Sequence, residues 1–107
     1  NVCLQLNIDN EESKSGLDLK EIDSFIEQTK TLENLKVRGL MVIPKPRENL
    51  GEQKEVFRMV KNIFLALNEK GNNFDTLSMG MSSDYAAAIQ EGATMVRVGT
   101  GIFGPRK

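Results

Sequence analysis

Short apolar blocks alternate with amphipathic stretches along the chain, and four such pairs follow one another. Val2–Ile8 (VCLQLNI) has strand length, with apolar residues on both faces of its first half, the pattern of a strand covered on both sides. A polar loop, DNEESKSG, runs from Asp9 to Gly16. A helix capped by Asp18 is then expected from Leu19 to about Leu32, with Leu19, Ile22, Phe25 and Ile26 as its buried stripe. Leu35–Ile43 reads as the second strand, stopped by Pro44 and Pro46, and Lys45 to Gly51 as a loop. The spacing of Val56, Val60, Ile63, Phe64 and Leu67 predicts a longer helix from about Glu52 to Lys70, ended by Gly71. Thr76–Met79 is the third strand, Asp84–Glu91 a short helix closed by Gly92, and Thr94–Val98 the fourth strand. A turn of helix is expected within Gly101–Gly104.

Strand and helix in strict alternation, with short connections, specify an α/β fold with a parallel sheet. Four βα units are half of a (β/α)₈ barrel of the TIM type, in which the working residues sit in the loops after the strands. The Gly, Ser, Thr, Asn and Pro clusters of this chain fall after strand ends, as that rule expects. A flavodoxin-like open sheet stays open on pattern alone. The chain begins at Asn1 and enters a strand at once, which reads as a start in mid-fold. Residues 1–107 are therefore taken as one piece of a single domain, since 107 residues suit at most one.

Composition narrows the function. The net charge is −1 and Lys and Arg are scattered, so nothing points to nucleic acid. No apolar run nears the ~20 residues of a membrane-spanning helix, and no secretory signal is seen. A single cysteine, Cys3, excludes an internal disulfide and fits a cytoplasmic protein. The absence of histidine removes zinc sites and any Ser-His-Asp or Cys-His machinery from this chain.

The candidate chemistry lies in Leu77–Arg106, LSMGMSSDYAAAIQEGATMVRVGTGIFGPR. One strand runs into Gly80-Met81-Ser82-Ser83-Asp84, and the next runs through Arg97 into Gly99-Thr100-Gly101. Two such ends side by side form a nest of amide and hydroxyl donors suited to a phosphate. Each part also has a plainer reading. Gly99-Thr100 makes an ordinary turn, Ser82 or Ser83 a helix cap, and Met79 a core filler. Arg97, between two valines, needs either an acidic partner or a ligand. Gly99-Thr-Gly-Ile-Phe-Gly104 matches GxGxxG, but the helix, strand and acidic residue required by a dinucleotide site have no room before Lys107.

The same segment closely resembles the C-terminal signature of the pyridoxal phosphate homeostasis protein family. LQLNI with the SKSG loop, VRGLMVIP, LSMGMSSD and MVRVGTGIFGPR fall in family order over the whole chain. The resemblance implies a (β/α)₈ barrel similar to the N-terminal barrel of alanine racemase, with this chain as its C-terminal half. It implies pyridoxal 5'-phosphate (PLP) as cofactor, a role in vitamin B6 homeostasis, and no reaction of its own. Ser82, Gly99 and Thr100 would hold the phosphate, Arg97 would face the pyridine nitrogen, and Met79 would lie near the ring. An arginine there disfavours protonation of that nitrogen and weakens the ring as an electron sink. The family has Ala where this chain has Gly101, and its cofactor-attaching lysine belongs to the first barrel strand, which has no counterpart here. Lys14 is the best local amine, though a solvated loop lysine is its plainer reading. The alternatives are a racemase-like enzyme using Tyr85 as base, and a cofactor-free half-barrel. The partners expected are the missing N-terminal half, or another copy paired through the exposed edges at Val2–Ile8 and Val96–Val98.

Overall fold

A computed structural model describes residues 1–9 and 16–99. Lys14, Thr100 and the turn expected at Gly101–Gly104 lie outside the described residues. The elements are β1 (Val2–Leu6), α1 (Ile22–Thr29), β2 (Val37–Val42), α2 (Leu50–Glu69), β3 (Thr76–Met81), α3 (Tyr85–Gln90) and β4 (Met95–Arg97). All strand pairs are parallel, in the order β1-β2-β3-β4. A flavodoxin-like sheet reverses direction after its first crossover, so this unreversed order removes that alternative. Successive right-handed crossovers in one direction put the helices on one face, as in a barrel wall.

Register explains the core. Leu4 pairs with Leu40 and Leu40 with Leu77, so three leucines form one row across the sheet. Leu6, Val42 and Met79 lie two residues further along their strands, on the same face by the period of two. All six are buried and pack with Ile22, Ile26, Val56, Phe57, Val60, Phe64 and Leu67. The face bearing Cys3 and Gln5, which the pattern also expects to be covered, is half-covered by the described residues.

The boundaries differ from expectation for local reasons. β1 stops at Leu6, two residues short of Ile8, and Asn7 donates its N–H to Leu17 O outside the sheet proper. Asp18 does not cap α1. Its carbonyl accepts the Glu21 N–H in a separate turn, the helix begins only at Ile22, and Leu19 and Leu32 are left exposed. β2 is shorter than Leu35–Ile43, β4 shorter than Thr94–Val98, and β3 runs on through Gly80 to Met81.

The α2 helix starts earlier than its apolar stripe, at Leu50, because Asn49 caps it. The Asn49 backbone is extended and its side chain accepts the Glu52 N–H at 2.8 Å. Asn49-x-x-Glu52 is the sequence signal that could have shown this start. Asn49→Ala is expected to lower stability by about 1 kcal/mol. Urea unfolding checks this, and an unchanged midpoint would mean that the cap contributes nothing.

Candidate functional site

Parallel strands place their C-terminal ends together, and here those ends surround a cavity of about 130 Å³. Val42, Pro44 and Pro46 line it from the end of β2, and Gly80, Met81 and Ser83 from the end of β3. A larger groove of about 450 Å³ runs over Arg58, Met59 and Asn62, but it lies along one helix, α2, and not at the strand ends. Of the two, the smaller cavity is the one lined from strand ends, those of β2 and β3, and it is therefore the candidate site.

Gly80 allows the β3 end its shape. Its φ is +103°, and a Cβ there would stand 2.7 Å from the Ala88 Cβ and 3.2 Å from the Tyr85 Cα. Only glycine fits so close beneath α3 in that conformation. The pairing of β3 with β4 shifts between Ser78 and Met81, so that Met81 stands opposite Arg97. Asp84 closes the turn, since its Oδ1 accepts the Met81 N–H at 2.8 Å. Asp84 also occupies the N-cap position of α3, and no side chain caps that helix. Neither Ser82 nor Ser83 therefore acts as the cap considered from sequence. Ser82 is half-buried and Ser83 exposed.

Arg97 is half-buried at the end of β4, and its Nη2 donates to Val42 O at 2.8 Å. Strands lie about 4.8 Å apart, so this side chain reaches past β3 to the end of β2. Its Nε is buried and has no hydrogen-bond partner. No ion pair joins it to a described acidic residue, which leaves the acidic-partner reading without a carboxylate among the described residues. Burial pulls its pKa below the usual value, and the nearby Asp84 charge offsets part of that effect. A buried, unpaired guanidinium N–H is costly unless something polar meets it.

The other predicted residues are dispersed. Gly99 is exposed, and among the described residues a Cβ there would meet no atom beyond its chain neighbours within 4 Å. Met79 is fully buried in the core beside Leu77, one pleat away from the cavity. Tyr85 is 43% exposed. Sequence reasoning missed Pro44 and Pro46 as cavity residues, and gave Met81 and Asp84, within the turn it named, no separate role. The Pro-Lys-Pro run directly after a strand was the available signal. No group of three His, Cys, Asp or Glu among the described residues is placed to hold a metal ion. No helix among them is long and apolar enough to cross a membrane.

The family model for the alanine racemase N-terminal domain matches residues 1–107. The chain belongs to that family. Its family fold is a TIM-type barrel, to which the four-stranded parallel sheet conforms. Similarity is high to two pyridoxal phosphate homeostasis proteins. That of Pseudomonas aeruginosa is 48% identical over 99% of this chain and 45% of its own length. That of Escherichia coli is 47% identical over the same shares. Among solved structures, PipY of Synechococcus elongatus with PLP bound superposes with a TM-score of 0.82 at 34% identity. The match covers 95% of this chain and 48% of PipY. The chain thus spans about half the length of the relatives it matches.

Proposed function

We propose that this family member binds PLP at the ends of β2, β3 and β4, where Arg97 meets the strand-end cavity at Val42, and serves PLP homeostasis without catalysing a reaction. The half-buried Arg97 side chain, with its buried Nε unpartnered, carries this reading. Such a group is expected where a ligand's polar ring atom completes the hydrogen bonding. The names of the relatives and the PLP bound to PipY supply the ligand. When bound, PLP supplies an electron-accepting ring and a reactive aldehyde. Arg97 would orient the ring at its nitrogen and, being cationic, keep that nitrogen unprotonated. Ser82, Gly99 and Thr100 would receive the phosphate, with Gly99, having no Cβ, allowing close approach. Met79 would support this rim from the core rather than touch it broadly.

The four units are read as the C-terminal half of the barrel, in a cytoplasmic protein. None of the four described strands carries a lysine, which fits a chain whose attachment residue lies in the other half. β1 and β4 are the edges of the described sheet, where the remaining barrel strands, or a second copy, would pair. Sequencing the gene upstream should show about half a barrel with a strand lysine. An upstream region without one would overturn this placement.

The binding test uses the protein as its gene encodes it. Arg97→Met should weaken PLP binding roughly tenfold to a hundredfold and alter the absorbance of the bound ring, while leaving inorganic phosphate affinity nearly unchanged. Equal PLP affinity in both proteins would refute the role given to Arg97. Measurable alanine racemisation abolished by Tyr85→Phe would favour the enzyme reading instead.

A further inference from the structure

We propose that Asp9 and Arg47 form a positioning clamp that fixes the Pro44–Pro46 wall of the strand-end cavity for PLP retention. This rests on the cofactor site proposed above. Asp9 lies just beyond β1 and Arg47 just beyond β2, so the pair joins two loops that leave neighbouring strands. Arg47 Nη1 donates to Asp9 Oδ2 at 3.0 Å and Nη2 to Asp9 Oδ1 at 2.6 Å, a two-pronged geometry. The side chains are only 13% and 23% exposed, for Asp9 and Arg47 respectively, so water screens the pair less than it would a surface bridge.

The clamp grips backbone as well as side chain. Pro44 and Pro46 have no N–H, so the Lys45 amide is the single backbone donor across that run. Asp9 Oδ2 accepts it. Arg47 Nη1 also donates to Lys45 O at 2.8 Å, and Gln53 Nε2 in the first turn of α2 donates to Arg47 O at 2.8 Å. Arg47 holds the Asp9 carboxyl below the usual carboxylate range, so the pair stays ionised at neutral pH. The prolines that the clamp immobilises face Gly80 and Met81 across a cavity of about 130 Å³. Pro44 follows two residues after Val42, whose carbonyl meets Arg97, so a wall shift of about 1 Å would change how the rim meets a ligand held by that guanidinium. Neither Asp9 nor Arg47 lines that cavity, so both act through the prolines.

Two readouts on the gene-encoded protein test this: the PLP dissociation rate, and hydrogen exchange at the Lys45 amide. Asp9→Ala and Arg47→Met should each raise PLP dissociation about tenfold and speed Lys45 exchange by a similar factor, with the Leu40 amide of β2 unchanged. Asp9→Asn keeps an acceptor for Lys45 and should have a smaller effect, which covers the case of an alanine variant that fails to fold. Reciprocally, saturating PLP should slow Lys45 exchange in the unaltered protein, a change that a purely structural bridge would not produce. Freed Lys45 exchange with unchanged PLP dissociation would overturn the clamp alone. Failure of the unaltered protein to bind PLP would overturn the cofactor site, and the clamp's purpose with it.

Discussion

Gly39→Ala should lower stability by about 3–5 kcal/mol, more than a typical point substitution. Gly39 pairs with Thr76 where β2 meets β3. A Cβ at Gly39 would sit 1.6 Å from the Thr76 carbonyl oxygen and 2.6 Å from its carbonyl carbon. Both are backbone atoms, which no rotamer change can move. Ordinary contact needs a separation above 3 Å, so the strands would have to part by well over 1 Å, beyond what ladder hydrogen bonds tolerate. Parting them also displaces the Leu40–Leu77 pair from the buried row and strains the Arg38–Asp75 bridge at the strand start. That bridge, through Arg38, holds the Asp75 carboxyl at a pKa of about 2.

Gly51→Ala is the control. It lies in the first turn of α2, and its Cβ would meet only the Asn49 Oδ1, at 3.4 Å. There the lost flexibility of the unfolded chain should leave stability unchanged or raise it by up to about 1 kcal/mol. Urea midpoints of the two variants decide the matter. Equal midpoints would show that the Gly39 crowding is relieved at no cost.

Phe57→Ala should cost about 3–5 kcal/mol as well, for the opposite reason. Phe57 is fully buried, among the largest side chains of the core, and its removal leaves a cavity under α2 that its neighbours Val60 and Leu77 cannot refill. Total stabilities of domains are about 5–15 kcal/mol, so this loss should appear as a shift of several degrees or more in melting temperature. Leu65→Ala, on the same helix but 47% exposed, should cost under about 1 kcal/mol. Similar losses for the two would mean that α2 is not seated as described.

Phe57 was not in the stripe predicted from spacing, and the omission has a physical cause. Of the predicted stripe, Val56, Val60, Phe64 and Leu67 are buried at the centre of the face and Ile63 is partly buried beside them. How wide that face becomes depends on what packs beside the helix, and α2 packs against α3 as well as the sheet, with Phe57 fully buried. Leu19 and Phe25 show the converse. Their spacing is helical, yet Leu19 falls in the turn at Asp18–Glu21 ahead of α1, and Phe25, inside α1, lies off the face that buries Ile22 and Ile26.

The candidate site was legible to a similar degree. Arg97 stood out because an arginine between valines in a short strand must be paired or meet a ligand. Met79 was placed near the cofactor by family order; it lies buried with the leucines, while Met81, beyond the positive-φ Gly80 and the register shift, lines the cavity. The Asp9–Arg47 contact joins residues 38 positions apart and carries no local signal at all.

The sequence by itself determined the alternation of strand and helix, the parallel sheet and the long α2 stripe. Those follow from periodicity and from residues with few conformational options, and they are local. Only the tertiary structure decided the unreversed strand order, which residues of each strand face the helices, and that Arg97 crosses to Val42 with its Nε buried and unmatched. These depend on what lies across from a residue once distant strands are in register, and no window of sequence contains that information. The Leu77–Arg106 motif suggested a rim, and packing set which of its atoms are left for a ligand.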